Sequence, residues 1–326
     1  MECDRGPRLE MLWESCDPQQ TLAQRFGFAD ADAVEGWLRV TLATYWDVTV
    51  ESCERIVISD HNALAWLTTA SGSLIAKWSA APELFPRLSR VARLTQWLDG
   101  QGLPVSAPLP SLDGAVQVEV DGASMALQHV IDGDMLDVGD PQQVRAAGVA
   151  LGELHQALGR SPAAEEPVSQ RETFVPMMSR IARWLESEQP HVPKPAQQAL
   201  RRLVGSAPVL DDVPQLLHGD FRSANVLCSG SSVVGVLDFE EVRFDHCVDE
   251  LARSAVLLGT RFHDWGPVSP EVHAQFLAGY ETVRYLSPSE QHWWDVLVLW
   301  YTLAFVPVGH DPTGWAESAR NLTVGR

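Results

Sequence analysis

Positive charge is scarce in this chain: 24 Lys and Arg stand against 43 Asp and Glu, a formal net charge of −19 over 326 residues. So acidic a chain disfavours nucleic acid and anionic lipid as partners, because both are repelled before any specific contact can form. Cysteine is equally thin. Its five copies (Cys3, Cys16, Cys53, Cys228 and Cys247) are odd in number, widely spread and without a C-x-x-C pair, which argues against a disulfide framework or a zinc site and fits a reducing cytoplasm. Long apolar runs are absent. The longest, from Val296 to Gly309, falls short of spanning length and contains Pro307, and the opening MECDRGPRLE has no signal-peptide core, so neither membrane insertion nor export is expected. No Walker A or G-x-S-x-G pattern occurs, and the ten histidines show no metal-ligand spacing with one another or with cysteine.

What is present suffices for a substantial core: 45% of the residues are hydrophobic, and the length allows two lobes. Residues 1–46, with QTLAQRFGF and DADAVEGWLRVTLATYW at helical spacing, predict a helical extension. The period then changes. RIVIS (Arg55 to Ser59), ALAWLTT (Ala63 to Thr69) and SLIAKWS (Ser73 to Ser79) are short β-rich runs separated by turn signals, an antiparallel meander. A helix containing Leu88, Val91, Leu94 and Leu98 on one face comes next, then AVQVEV, the hairpin turn DG, and ASMALQHVI. Residues 47–131 therefore read as a lobe built on a sheet of about five strands. Residues 132–326 read as a larger helical lobe, with Gly159 to Gln170 as a polar surface loop. The fold class is α+β.

The helical pattern is broken at LLHGDFRSANVL and at SVVGVLDFE. An isolated H-G-D is usually a turn, but here Asn225 follows Asp220 by five positions, and Asp238-Phe239-Glu240 closes the next apolar run. That order and spacing match the H-x-D…N…D-F signature of protein kinases. Phosphoryl transfer asks little covalent chemistry of a protein. It needs a carboxylate to orient the attacking hydroxyl and accept its proton, a role open to Asp220, and oxygen ligands for a divalent ion, open to Asn225 and Asp238. A nucleotide-binding lysine belongs upstream on the third strand, and Lys77 stands there with no lysine before it.

These residues resemble the aminoglycoside phosphotransferase and choline kinase family, the small-molecule branch of the bilobal protein-kinase-like fold. HGDFRSAN (Gly219 replacing the arginine of protein kinases), LDFEE, VDELAR (Val248 to Arg253), VALGELHQAL and LQHVIDG (Leu127 to Gly133) carry the likeness from about Arg55 to Leu258. The resemblance implies Asp220 as catalytic base, Asn225 and Asp238 as Mg2+ ligands, Lys77 as phosphate contact, and Gln128, His129 and Val130 as the adenine-binding segment. It also implies Asp249 as a brace for the catalytic loop and His218 as a structural hydrogen-bonder. Two departures accompany it. The helix glutamate that pairs with the lysine is replaced by Val91, leaving Glu83 as the only acid between Lys77 and Leu98, and the first strand turn, SDHNALA, lacks glycine, so Ser59 and Asn62 have to cover the phosphates.

The expected donor is ATP, with GTP open, and the expected acceptor is the hydroxyl of a small, amine-bearing molecule: an aminoglycoside or related antibiotic, an amino sugar, choline or homoserine. Glu240, Glu241 and Asp264 are the acidic candidates for such an amine; Glu241 and Asp245 read first as solvated surface, and Glu240 stands apart because it directly follows Asp238-Phe239. Of the twelve tryptophans, those at helical spacing read as core, with one or two available to line an acceptor pocket. A peptide Ser or Thr acceptor and a catalytically silent nucleotide-binding protein are the alternatives, and the sequence leaves the oligomeric state open.

Overall fold

The computed structural model describes residues 6–162 and 175–324. Cys3 and residues 163–170 of the polar loop lie outside the described residues. The chain forms two compact units, Met1–Asp132 and Gly133–Arg326.

The first unit runs β1 (Arg8–Met11), α1 (Pro18–Thr21) continuing into a π-turn (Leu22–Phe26), α2 (Ala31–Trp46), β2 (Val50–Ile58), β3 (Asn62–Thr69), β4 (Gly72–Ser79), α3 (Phe85–Gly100), β5 (Val118–Val120) and β6 (Ala123–His129). The sheet order is β1-β2-β3-β4-β6-β5. The antiparallel meander and the Asp121-Gly122 hairpin form as the sequence predicts. The leading segment differs. Arg8–Met11, expected within a helical extension, is a strand lying parallel to β2, with Arg8 opposite Arg55 and Met11 opposite Ile58. Four residues carry no usable periodicity, and the partner strand lies more than forty positions away, so this pairing is set by tertiary context.

Helix α2 starts where Asp30 accepts a hydrogen bond from the Ala33 N–H at 2.8 Å, a cap that satisfies one of the open amides of the first turn. Its Val34, Leu38 and Leu42 recur every four residues and pack in one core with Ile56, Ala65, Ala76 and Met125 of the sheet. Because side chains alternate along a strand, burying Leu74, Ala76 and Trp78 on this face turns Lys77 to the other, half-buried and paired across the strands with Leu64 and Ala126.

The second unit is helical around two small sheets. Its helices are α4 (Pro141–Leu158), α5 (Met177–Glu186), α6 (Lys194–Gly205), α7 (Cys247–Leu257), α8 (Pro270–Tyr280), α9 (Pro288–Ala304) and α10 (Trp315–Val324). Its strands are β7 (Asp134–Met135), β8 (Gln215–Leu217), β9 (Val226–Ser229), β10 (Ser232–Val236) and β11 (Arg243–Asp245), arranged β10-β9-β7 and β11-β8. The hairpin β9–β10 occupies the breaks in the helical pattern at NVL and SVVGV; β7, β8 and β11 are too short to carry a readable period. Trp293 and Trp300 of α9 lie in a core shared with α6 and α7, as expected for that helix.

Helices α4 and α8 meet backbone to backbone. A Cβ at Gly148 would collide with the Phe276 carbonyl, and one at Gly279 with the Arg145 carbonyl. Neither obstacle is a side-chain end that can swing away. We expect Gly148→Ala and Gly279→Ala each to destabilise the protein by at least about 2 kcal/mol, read as a lowered urea midpoint at unchanged slope, whereas Gly205→Ala, which meets nothing, should not.

Candidate active site

The catalytic-loop motif begins where β8 ends. His218 is fully buried. Its Nε2–H donates to the Leu237 carbonyl at 2.9 Å, and its Nδ1 accepts from the Asp220 N–H at 3.1 Å. With one nitrogen facing a carbonyl and the other facing an amide, the ring is held as the neutral Nε2–H tautomer and carries no proton between partners. Leu237 in turn donates its N–H to the Asn225 carbonyl at 2.8 Å, and the His218 ring packs 4.5 Å from that of Phe239. One imidazole and one peptide thereby join the three segments bearing Asp220, Asn225 and Asp238.

Two backbone conformations shape this junction. Gly219 has φ +91°, and a Cβ there would overlap the Glu241 carbonyl oxygen. The arginine of protein kinases cannot be placed here without moving the chain after Asp238. Asp238 itself has φ 62° and ψ 71°, a left-handed geometry that costs a non-glycine residue on the order of 1–3 kcal/mol. It turns the chain sharply out of β10, and Asp238 is exposed.

Asp220 Oδ2 accepts from Asn225 Nδ2 at 3.0 Å, and the Asp220 carbonyl accepts from the same nitrogen at 2.8 Å. This spends the amide nitrogen and leaves Asn225 Oδ1 without a donor among the described residues. A hard divalent cation wants such oxygens. The donor set of one amide oxygen and the Asp238 carboxylate fits an ion that keeps several waters and shares nucleotide phosphates. Among the described residues no group of His, Cys, Asp and Glu is built to hold a metal alone.

The loop rests on a buried carboxylate. Glu250 on α7 accepts from the His218 N–H at 3.0 Å through Oε2 and from the Gly219 N–H through Oε1. His155 Nε2–H donates to Oε2 at 2.9 Å, while His155 Nδ1 meets the Tyr280 hydroxyl at 2.9 Å. Burial alone would raise the Glu250 carboxyl, but hydrogen bonding and charge from His155, with Arg243 behind, outweigh it and hold the pKa at about 2. Burial likewise opposes a charged His155, but the Tyr280 oxygen, Cys247 and Glu250 outweigh it and keep its pKa well above the ordinary histidine value. The expected brace, Asp249, points elsewhere: it accepts from Tyr301 at 3.0 and 3.1 Å and lies 3.1 Å from Arg180. Adjacent acids on a helix diverge by about 100°, and only the phase of α7 selects Glu250.

Sequence reasoning also missed the arginines. Arg243 and Arg253 both donate to the Gly219 carbonyl, at 2.8 and 2.6 Å. Arg222 Nε donates to Asp220 Oδ2 at 2.9 Å, and Arg261 reaches the Ser223 hydroxyl at 3.3 Å. Of the acidic candidates, Glu240 and Glu241 form a 3-10 turn after Asp238, and Asp264 is exposed beyond α7. Asp245 is not solvated surface. It is buried, and its Oδ2 lies 2.9 Å from Arg180, whose N–H groups are not aimed at it.

In the first unit, Ser59 and Asn62 close the β2–β3 turn on each other: the Ser59 hydroxyl bonds the Asn62 carbonyl at 3.1 Å and the Asn62 N–H at 3.3 Å. Glu83 is exposed in a 3-10 turn before α3. Val130 donates its N–H to Ser73 at 3.1 Å, so in the alternating antiparallel ladder His129, paired with Leu74, turns its N–H and C=O away from β4. Gln128 lies on the half-buried side of the same strand end.

Two outcomes are expected. Gly219→Ala should abolish the loop geometry, lowering the melting temperature and removing any activity together. Asp245 has its carboxyl pushed up to about 7 by burial and by Asp249, against Arg180. The unfolded chain loses this proton near 3.8, so ionisation favours unfolding. The associated stability is complete below that value and is lost as pH rises through about 7. Asp245→Asn should flatten this slope in denaturation curves between pH 5 and 8; an unchanged slope would refute the assignment.

Known proteins resemble this chain in sequence and in fold. The chain is 29% identical over 272 residues to a homoserine kinase of Allorhizobium ampelinum, covering 81% of this chain and 80% of that one. Among solved structures it resembles a macrolide 2'-phosphotransferase of Brachybacterium faecium, with a TM-score of 0.57, 14% identity, and 89% and 98% of the two chains covered. It also resembles an amicoumacin kinase in complex with AMP-PNP, Ca2+ and Ami, with a TM-score of 0.52, 14% identity, and 89% and 92% covered. At these identities the structures establish the protein-kinase-like α+β fold, and the model of the phosphotransferase enzyme family matches residues 56–292. The chain belongs to the phosphotransferase enzyme family.

Proposed function

We propose that this protein transfers the γ-phosphoryl group of ATP to the hydroxyl of a small polar acceptor, with Mg2+, and that the acceptor is an amine-bearing hydroxy compound of the homoserine type. The observation that carries the reading is the fixed triad of segments around His218: it presents the Asp220 carboxylate, the Asn225 amide oxygen and the Asp238 carboxylate from one hydrogen-bonded junction. Asp220 orients the acceptor hydroxyl and takes its proton as the new phosphorus–oxygen bond forms and the bond from the γ-phosphorus to the bridging oxygen breaks, releasing ADP. Asn225 and Asp238 are the residues to hold Mg2+, which when bound neutralises charge on the phosphates. Lys77 is the phosphate contact, and the backbone at His129 is the edge for adenine, or for guanine if GTP is the donor. Ser59 and Asn62 then contribute through the shape of their turn, which the Ser59 hydroxyl closes on the Asn62 backbone. Asp264, Glu240 and Glu241 are the candidates for the amine.

The homoserine preference rests on the name of the sequence relative, which covers four fifths of both chains. Antibiotic acceptors are the second choice, supported by solved structures that share only the fold. A reducing cytoplasm is the compartment we propose, on the odd number and wide spacing of the five cysteines.

The test is mass analysis of homoserine, amino sugars, choline and aminoglycosides after incubation with ATP and Mg2+. Wild type is expected to add one phosphate to homoserine or a near analogue. Asp220→Ala, correctly folded by circular dichroism, should be slower by about 100- to 10,000-fold. Tight ATP binding with no transfer to any small acceptor would move the function to a peptide hydroxyl or to a silent nucleotide-binding protein.

A further inference from the structure

The turn between β2 and β3, Ser59 to Asn62, holds no glycine, and bonds from outside it fix its shape as much as its own. Besides the closure of the Ser59 hydroxyl on Asn62, the Ser59 N–H donates to the Asn62 carbonyl at 2.8 Å. Ser79 of β4, fully buried, donates its hydroxyl to the His61 carbonyl at 2.7 Å. The segment that precedes α2 takes the other side. Leu12 donates its N–H to the Ile58 carbonyl at 2.8 Å, and Arg25, in the π-turn after α1, donates through Nη1 to the Ser59 carbonyl at 3.0 Å. Two consecutive carbonyls at the end of β2 are thereby bound by residues from far earlier in the chain.

Arg25 is itself held. Its Nη1 and Nη2 donate to Oε2 and Oε1 of Glu14 at 2.7 and 2.9 Å, the two-pronged pairing that fixes a guanidinium plane. With both terminal nitrogens engaged, Arg25 is a clamp on the turn and not a free cation. What the clamp leaves open is informative. The N–H groups of Asp60 and His61 bond to nothing among the described residues, and both residues are exposed; successive free amides in a turn take the oxygens of an anion. The acid of the turn, Asp60, has its carboxylate 3.2 Å from the His61 ring. Register places the turn correctly as well. Asn62 pairs with Ser79 two positions beyond the pairing of Leu64 with Lys77, so turn and lysine share one end of the sheet, about 7 Å apart along the strand.

We infer that Arg25, held by Glu14, is a positioning residue for the nucleotide: it sets the β2–β3 turn in its phosphate-covering shape before ATP arrives. This rests on the phosphotransferase reading above and on the β2–β3 turn as its phosphate cover. The reason is entropic. A turn that is ordered only when the phosphates bind gives up affinity for every residue it orders, whereas a turn already fixed does not. Residues 8–26 are then part of the nucleotide site and not an appendage to it. The other end of β2 supplies a comparison. Arg39 of α2 pairs with Glu35 at 2.6 Å and donates to the Val50 carbonyl and, at 2.9 Å, to the Glu51 carbonyl. It makes the same kinds of bond at the end of the strand remote from the turn.

The experiment measures calorimetric binding of a non-hydrolysable ATP analogue with Mg2+ to wild type, Arg25→Ala, Arg25→Lys, Glu14→Ala and Arg39→Ala. Hydrogen exchange of the segment 59–62 is followed on the same proteins, with kcat and KM for the acceptor that wild type phosphorylates. Arg25→Ala should weaken the analogue by about 10-fold or more and speed exchange of the turn, raising KM for ATP with kcat and the acceptor KM little changed. Arg25→Lys, which reaches the Ser59 carbonyl but cannot hold both oxygens of Glu14, should fall between. Glu14→Ala should weaken binding too, although it removes a negative charge. Arg39→Ala should lower the melting temperature and leave nucleotide affinity unchanged. Tighter binding in Glu14→Ala would make Arg25 a direct phosphate ligand, and unchanged affinity in Arg25→Ala, or an equal loss in Arg39→Ala, would remove its positioning role. Each of these overturns the inference and leaves the phosphotransferase reading intact. A wild type that binds the analogue without slower exchange in the turn rejects the turn as phosphate cover, and the inference with it, but not the enzyme. A wild type that binds no nucleotide rejects both.

Discussion

The site depends on one buried carboxylate. Glu250 is enclosed in the helical unit and stays ionised because two consecutive backbone amides, at His218 and Gly219, and the ring of His155 donate to it. Placing a charge in a low-dielectric interior costs several kcal/mol unless its lone pairs are satisfied; here they are, and the donors are the loop itself. The peptide between His218 and Gly219 can adopt no other orientation without stranding that charge. Asp220, the next residue along, inherits the direction.

From that anchor the remaining contacts of the loop extend one bond at a time. His218 has both nitrogens engaged, so it links the loop to Leu237, and Leu237 links back to Asn225. Gly219 and Asp238 occupy left-handed backbone positions on either side of this link, conformations that persist only where the surrounding bonds over-determine them. Arg243 and Arg253 then close on the Gly219 carbonyl, holding the acceptor side of the glycine whose N–H faces Glu250.

Overall charge and local charge point in opposite directions here. A net −19 invites the expectation of a cationic acceptor held by Glu240, Glu241 or Asp264. The residues packed on the catalytic loop are arginines, and the buried acids Asp245 and Asp249 lie beside Arg180. Net charge sums over the whole surface, whereas recognition is decided within a screening length of about 10 Å, and the two need not agree.

The order Lys77, His218-Gly219-Asp220, Asn225, Asp238 was legible in the chain because motif spacing survives without coordinates, and so were the antiparallel meander and most of the helices, whose periodicity is long enough to count. β1 was not, because a four-residue edge strand exists only by pairing with β2. The choice of Glu250 over Asp249 was not, since the phase of α7 against the loop is a packing outcome. The sequence by itself determined the family, the α+β class and the identity of the polar groups, all of which are properties of residue type and spacing. Tertiary structure alone decided which carboxylate braces the loop, that Asp245 is buried, and that Arg222 lies against both Asp220 and Trp265. Those are matters of burial and direction, and they arise only when segments distant in the chain are packed together.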